Sequence, residues 1–163
     1  MSKDEKYKIL FVCLGNICRS PAAEGIMRRL VEERGLAERV EIDSAGLSGY
    51  HAGDLPDRRM RVHARRRGLE LTHRSRPVSS SDFERFDMIV AMDDSNYDCL
   101  RDMAGTLEEE AKVVRIASFF RHYTTHDCVP DPYYGGAEGF ENVLNLLEDA
   151  CEGIISEIIK LDK

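Results

Sequence analysis

Cys13 and Arg19 stand six positions apart in the stretch Cys13-Leu14-Gly15-Asn16-Ile17-Cys18-Arg19-Ser20-Pro21. A Cys–Arg pair at that spacing is weak evidence alone, because the chain carries five Cys and is rich in Arg. Its surroundings make it specific. A hydrophobic run, Tyr7 to Val12, precedes the Cys. Gly15 and Asn16 are the residue types that most easily take left-handed backbone conformations. Ser20-Pro21 reads as an N-cap followed by Pro at the first helical position, which predicts a helix start there. A short loop feeding a helix N-terminus turns successive backbone N–H groups inward and cradles an anion, helped by the helix dipole. The same field stabilises a thiolate at Cys13. Arg19 adds the planar fork that grips two phosphate oxygens at once. A thiolate beneath a cradled phosphate is placed for in-line attack on phosphorus, giving a phosphocysteine. The Ser20 hydroxyl can donate to that sulfur and ease its departure. The plainer reading, a buried strand-end thiol and a surface Arg, leaves Gly-Asn and Ser-Pro unexplained.

A phosphate monoester leaves slowly unless its bridging oxygen is protonated, so this chemistry also needs a carboxylic acid. Pro130-Asp131-Pro132-Tyr133-Tyr134-Gly135-Gly136 offers one. Pro on both sides stiffens the segment around Asp131. The two tyrosines suit a slot for a flat aromatic ring. Without the Cys loop, this stretch would read as an ordinary Pro/Gly turn.

Four short apolar segments, Tyr7–Val12, Val40–Ile42, Asp87–Met92 and Lys112–Ile116, read as strands. Between them lie helical patterns at Ala22–Arg34, Asp57–Arg67 and Tyr97–Met103, and Ala137–Leu161 follows with apolar residues at helical spacing. Strands alternating with helices predict right-handed βαβ units and a parallel sheet covered on both faces. In such sheets ligands bind beyond the carboxyl ends of the strands. The loop that begins at Cys13 stands at such an end.

The chain of 163 residues is the size of one domain, taken as residues 1–163. Its length allows it to bury roughly 70 % of its unfolded surface without disulfides or a metal. No apolar run approaches the ~20 residues of a membrane span, and the start is charged rather than signal-like. The net charge of -7 is uneven, with 16 basic and 12 acidic side chains through Asp82 but 7 and 18 after it. The acidic total argues against nucleic acid as the main partner, while the Arg excess in the first half suits a small phosphorylated ligand. Five Cys without paired C-x-x-C units argue against structural zinc and against a disulfide framework. Reduced thiols in a cytoplasm fit better, so the expectation is a soluble, cytoplasmic protein with no membrane partner. The Arg run at 58, 59, 61, 65, 66 and 67, with Arg74 and Arg76, reads most simply as a solvated helix face. A preference for acidic residues flanking the substrate is the sharper alternative.

Taken together, Cys-Leu-Gly-Asn-Ile-Cys-Arg-Ser near the N-terminus and Asp-Pro-Tyr-Tyr near the C-terminus resemble the low-molecular-weight protein tyrosine phosphatases, over essentially the whole chain. The resemblance implies an α/β fold of three αβα layers, with a four-stranded parallel sheet flanked by helices and a phosphate-binding loop after the first strand. It implies hydrolysis of phosphotyrosine in protein substrates without metal or cofactor. Phosphate and other tetrahedral oxyanions would bind in the loop of Leu14, Gly15, Asn16, Ile17, Cys18 and Ser20. Cys13 would be the nucleophile, Arg19 the phosphate clamp, and Asp131 the general acid and then the base. Ser44 and His73 would support the loop, with Asn16 as its strained residue. Asp93 matches an acidic position near the general acid, with helix capping as its plainer role. Tyr50 would face Tyr133 and Tyr134 across the substrate cleft, within the variable wall Leu47–Pro56. Cys18 matches a second loop cysteine, and two thiols in one loop invite a reversible Cys13–Cys18 disulfide. Phosphorylation of Tyr133 or Tyr134 is possible in relatives. Arsenate reductases of this fold need relay cysteines, and Cys99 has no close partner in sequence. Arginine phosphatases carry Thr where this chain has Ile17, whose apolar side chain suits a phenyl ring. A non-catalytic phosphate-binding module would lack the nucleophile or the acid.

Overall fold

The computed structural model describes residues 5–133 and 135–161. Four strands, β1 (Tyr7–Cys13), β2 (Val40–Gly46), β3 (Met88–Ala91) and β4 (Val113–Arg115), form one parallel sheet in the order β2-β1-β3-β4. Among the described residues six helices accompany them: α1 (Arg19–Glu33), α2 (Arg58–Arg65), α3 (Ser80–Arg85), α4 (Asp94–Met103), α5 (Leu107–Lys112) and α6 (Ala137–Leu161). A 3-10 turn at Ile116–Phe119 follows β4.

The central strand β1 divides the interior by its two-residue period. Ile9, Phe11 and Cys13 face one core, built with α1, α2 and α6. Leu10 and Val12 face the other, where Phe83 and Phe86 join Ile89, Leu100 and Val113. Residues Ile9 to Val12 are wholly buried, as a strand covered on both faces must be. Helix α1 presents Ala22, Ala23, Ile26, Met27, Leu30 and Val31 to the first core. It stops at Gly35, whose φ of 70° only glycine adopts freely. There the N–H groups of Gly35 and Leu36 donate to the carbonyls of Glu32 and Val31, closing the last turn.

Several boundaries differ from the sequence expectation, among them the start of α4 at Asp94 rather than Tyr97. Strand β2 runs on from Ile42 through Asp43-Ser44-Ala45-Gly46, because β1 supplies parallel partners up to Cys13 opposite Gly46. Helix α1 starts at Arg19 with Cys18 at its N-cap position, so Ser20 is not the cap and Pro21 is not the first helical residue. Helices α3 and α5 arise where no helix was expected. Ser79 and Asp82 form a capping box for α3, and Thr106 accepts from the Glu109 N–H to start α5.

Candidate active site

The sheet order fixes where a site can form. From β1 the chain first adds β2 on one side and later β3 on the other, so the direction of winding reverses between β1 and β3. The carboxyl ends at such a reversal leave a crevice. The loop after β1 and the segment Met92-Asp93 after β3 both leave the sheet at these ends.

The loop is held from outside by its carbonyls. The N–H groups of Leu47 and Ser48 donate to the carbonyls of Cys13 and Leu14 at 3.0 and 2.9 Å, and that of Asp57 donates to Ile17 at 2.7 Å. The Ser75 hydroxyl donates to the Gly15 carbonyl at 3.1 Å. No acceptor among the described residues takes the N–H groups of residues 14–18. Carbonyls outward and amides free is the arrangement of an anion cradle, since unpaired backbone donors in a largely buried loop cost free energy until an anion meets them.

Asn16 carries the turn, with φ 57°. Its Nδ2 donates to Ser20 Oγ and Ser44 Oγ at 2.8 and 3.1 Å. Its Oδ1 accepts from His73 Nε2 and the Arg76 N–H, both at 3.0 Å. All four hydrogen-bonding positions of the amide are thus used, which offsets the strain of a left-handed non-glycine residue. Behind it, Ser44 Oγ donates to Glu24 Oε1 at 2.7 Å. Both ring nitrogens of His73 face acceptors, for its Nδ1 lies 3.2 Å from Glu24 Oε1 and 3.6 Å from Asp43 Oδ1. The Ser20 hydroxyl does not cap α1 because it is committed elsewhere, 3.0 Å from Cys13 Sγ while accepting from Asn16.

Arg19 is buried at the mouth of α1 and fixed on one edge. Its Nη1 donates to Asp93 Oδ2 at 2.7 Å and to the Val129 carbonyl at 3.1 Å. Nη2 faces Asp131 Oδ2 at 3.7 Å. Burial disfavours the charged guanidinium, but Cys13, Asp93 and Asp131 outweigh it and hold Arg19 above the ordinary arginine range. Asp93 takes the plainer, capping role, its Oδ1 accepting from the Asn96 N–H at the start of α4, and its Oδ2 accepts from Arg19.

Above the loop lies a cleft of about 420 Å³. Cys13, Leu14, Gly15, Ile17, Cys18 and Arg19 form its floor, and Ser48, Tyr50, His51, Asp131 and Tyr133 form its walls. Tyr50 is 87 % exposed, so it rims the cleft rather than filling it. The expected wall at Leu47–Pro56 contributes three of these residues. Tyr134 lies outside the described residues. The Cys18 thiol is pushed up from its ordinary range, first by burial and then by Asp57, Cys13 and Asp131, with Arg59 opposing.

Most residues of the two motifs come together here, joined by Glu24, Asp57 and the Val129 carbonyl, which the sequence does not single out, and by Arg59 of the Arg run. A carboxylate on the apolar face of α1, beside Ala23, was the available signal for Glu24. A backbone carbonyl gives none. The Arg run is not simply a solvated face. Arg59 pairs with Asp57, Arg67 pairs with Glu141 and Glu148, and Arg76 pairs with Asp43 and Asp82. Glu24, Asp43 and His73 bring potential ligand atoms within 4.8 Å of one another. Those groups already hold Ser44, Arg76 and Asn16, so their lone pairs and protons serve the loop.

The model of the low molecular weight phosphotyrosine protein phosphatase family matches residues 8–163. A low molecular weight protein-tyrosine-phosphatase of Streptomyces coelicolor is 42 % identical over 153 residues, covering 93 % of each chain. The human low molecular weight phosphotyrosine protein phosphatase is 35 % identical over 158 residues, covering 96 % of this chain and 99 % of its own. A crystal structure of a protein tyrosine phosphatase from Entamoeba histolytica, with Hepes in its active site, is 44 % identical. It superposes with a TM-score of 0.92 over 97 % of this chain and all of that one.

Proposed function

This chain belongs to the low-molecular-weight phosphotyrosine protein phosphatase family and is a phosphoric monoester hydrolase, and from that footing we propose that it dephosphorylates phosphotyrosine in proteins through a cysteinyl-phosphate intermediate. The observation that carries this reading is the loop directly after Cys13, whose amides are left without acceptors among the described residues while its carbonyls bond outward.

In the first step the N–H groups of the loop and the outer face of Arg19 bind the phosphoryl oxygens. These charge-assisted contacts act most strongly where negative charge develops on the equatorial oxygens of the transition state. The Cys13 thiolate attacks phosphorus as the P–O bond to the tyrosine breaks, and the Asp131 carboxylic acid protonates the departing phenolate oxygen. In the second step the Asp131 carboxylate takes a proton from water, whose oxygen attacks phosphorus as the S–P bond breaks. The thiolate returns to the Ser20 hydroxyl, and orthophosphate leaves. The apolar Ile17 in the cleft floor, with Tyr50 and Tyr133 at its rim, supports a phenyl ring rather than a guanidinium.

Cys18 supports a further part of the reading. Buried beside the nucleophile and held as a neutral thiol, it is a reserve partner for an oxidised Cys13 rather than a competing nucleophile.

The test is turnover of p-nitrophenyl phosphate and a phosphotyrosine peptide in the presence of a chelator, with vanadate as inhibitor. The expected result is hydrolysis by the wild type, blocked by vanadate and abolished in Cys13→Ser. A Cys13→Ser variant that retains full rate refutes it.

A further inference from the structure

Arg59, the second residue of α2, touches both sides of the cleft. Its Nε and Nη2 hold the two carboxylate oxygens of Asp57 at 3.1 and 3.0 Å, a two-pronged ion pair. Asp57 in turn donates its N–H to the Ile17 carbonyl at 2.7 Å, so this end is fastened to the phosphate loop. On the other side Nη2 donates to the Tyr133 carbonyl at 2.9 Å. The guanidinium also lies over two rings, 5.4 Å from the centre of Tyr133 and 4.8 Å from that of Phe140 in α6. Tyr133 then donates its N–H to Asp131 Oδ1 at 3.0 Å. A continuous chain of contacts therefore runs from Ile17 through Asp57, Arg59 and Tyr133 to Asp131.

The carboxyl of Asp131 needs such a tether. It is exposed, and its approach to Arg19 Nη2 is 3.7 Å, longer than a hydrogen bond. Its placement over the loop therefore rests on how the segment 131–133 is held. Resting on the general-acid role proposed for Asp131, the geometry points to Arg59 as a positioning residue that pins the acid-bearing segment to the phosphate loop, at the place where Asp131 meets the leaving-group oxygen. Arg59 does not touch the reacting atoms. An exposed ion pair contributes little to global stability, yet a small misplacement of a proton donor lowers its rate severely. The two effects are separable by experiment.

A leaving group that departs without a proton does not depend on Asp131, whereas phenol does. The experiment compares kcat/KM for phenyl phosphate and dinitrophenyl phosphate in the wild type, Arg59→Ala, Arg59→Lys and Asp131→Asn, with thermal melting as the control for folding. Arg59→Ala is expected to lose about tenfold or more with phenyl phosphate, and less than about twofold with dinitrophenyl phosphate. Competition by inorganic phosphate and the melting midpoint should stay unchanged. Arg59→Lys, which keeps one charged donor but loses the fork, should fall between. Asp131→Asn should show the same selectivity more steeply, because it removes the proton itself. Equal losses with both substrates, or none, in Arg59→Ala overturn the positioning role while a selective Asp131→Asn leaves the phosphatase reading standing. An unselective Asp131→Asn removes the general acid, and the role of Arg59 falls with it.

Discussion

Asn16 shows how one side chain can set a loop. A left-handed backbone at φ 57° is unfavourable for any residue with a Cβ, and four hydrogen bonds to Ser20, Ser44, His73 and Arg76 hold it there. Asn16→Ala is expected to lower unfolding free energy by about 2–4 kcal/mol, because it keeps the strain and strands several buried polar partners. Asn16→Gly loses the same bonds without the strain, so it should be the more stable of the two by about 1 kcal/mol. Urea unfolding of the three proteins measures both differences. Equal stability of wild type and Asn16→Ala would show that the loop keeps its shape without this side chain. The same residue economy explains why Ser20 misled as a helix cap. Its sequence position next to Pro21 has the signature of a cap, but its hydroxyl serves Cys13 Sγ and Asn16 instead.

At the scale of elements, the close packing of α6 on the turn after β4 reverses an ordinary propensity. Ala is a better helix former than Gly by about 1 kcal/mol, so Gly153→Ala in mid-α6 would be expected to stabilise. A Cβ at Gly153, however, would stand 2.0 Å from the Phe119 carbonyl oxygen. Either α6 or the 3-10 turn must shift, at a cost of about 1–3 kcal/mol or more. A lowered thermal midpoint for Gly153→Ala is the expected result, and an unchanged or raised one contradicts this packing. The elements most legible in the sequence were those carrying many apolar residues at a regular period, β1, β3, α1 and α6. Asp43-Ser44-Ala45-Gly46 is strand only because β1 lies beside it, so local propensity hid it. The short helices α3 and α5 have too few apolar positions to show a period. Their signals were the caps, Ser79 with Asp82 and Thr106 with Glu109, which mark a start without promising a length. The proposed pairing of Cys13 with Asp131 is readable because each sits in a motif. The tether between them is not, because it runs through Arg59, one member of an arginine-rich stretch, and through backbone carbonyls.

Over the whole molecule, several carboxylates are worth more folded than unfolded. Burial opposes ionisation of Asp149, but the N–H groups of Arg121, His122 and Tyr123 outweigh it and hold its carboxyl below the ordinary carboxylate range. Hydrogen bonds from Arg67 and His63 lower Glu141 in the same direction. A depressed folded value means stabilisation that is complete above the unfolded value near about 4 and is lost as pH falls through the lower, folded one. Stability measured by denaturant unfolding should therefore be level in this respect at mildly acidic to neutral pH and decline below about pH 4. Asp149→Asn should be less stable at neutral pH and show a shallower acid decline. An identical decline in that variant would remove Asp149 from the account. No helix among the described residues is long and apolar enough to cross a membrane. The fold instead invests its apolar surface in two cores on either side of one sheet, leaving the carboxyl end of β1 free for chemistry. That chemistry is tested most directly by trapping its intermediate. Asp131→Asn mixed with dinitrophenyl phosphate should form the phosphoenzyme, since this leaving group needs no proton, and should hydrolyse it slowly, since the base is gone. Alkaline denaturation, peptide mass analysis and phosphorus NMR should then find one phosphoryl group per chain, on the sulfur of Cys13. Release of dinitrophenol with no phosphoryl group on the protein, or with one on any other residue, would contradict the account.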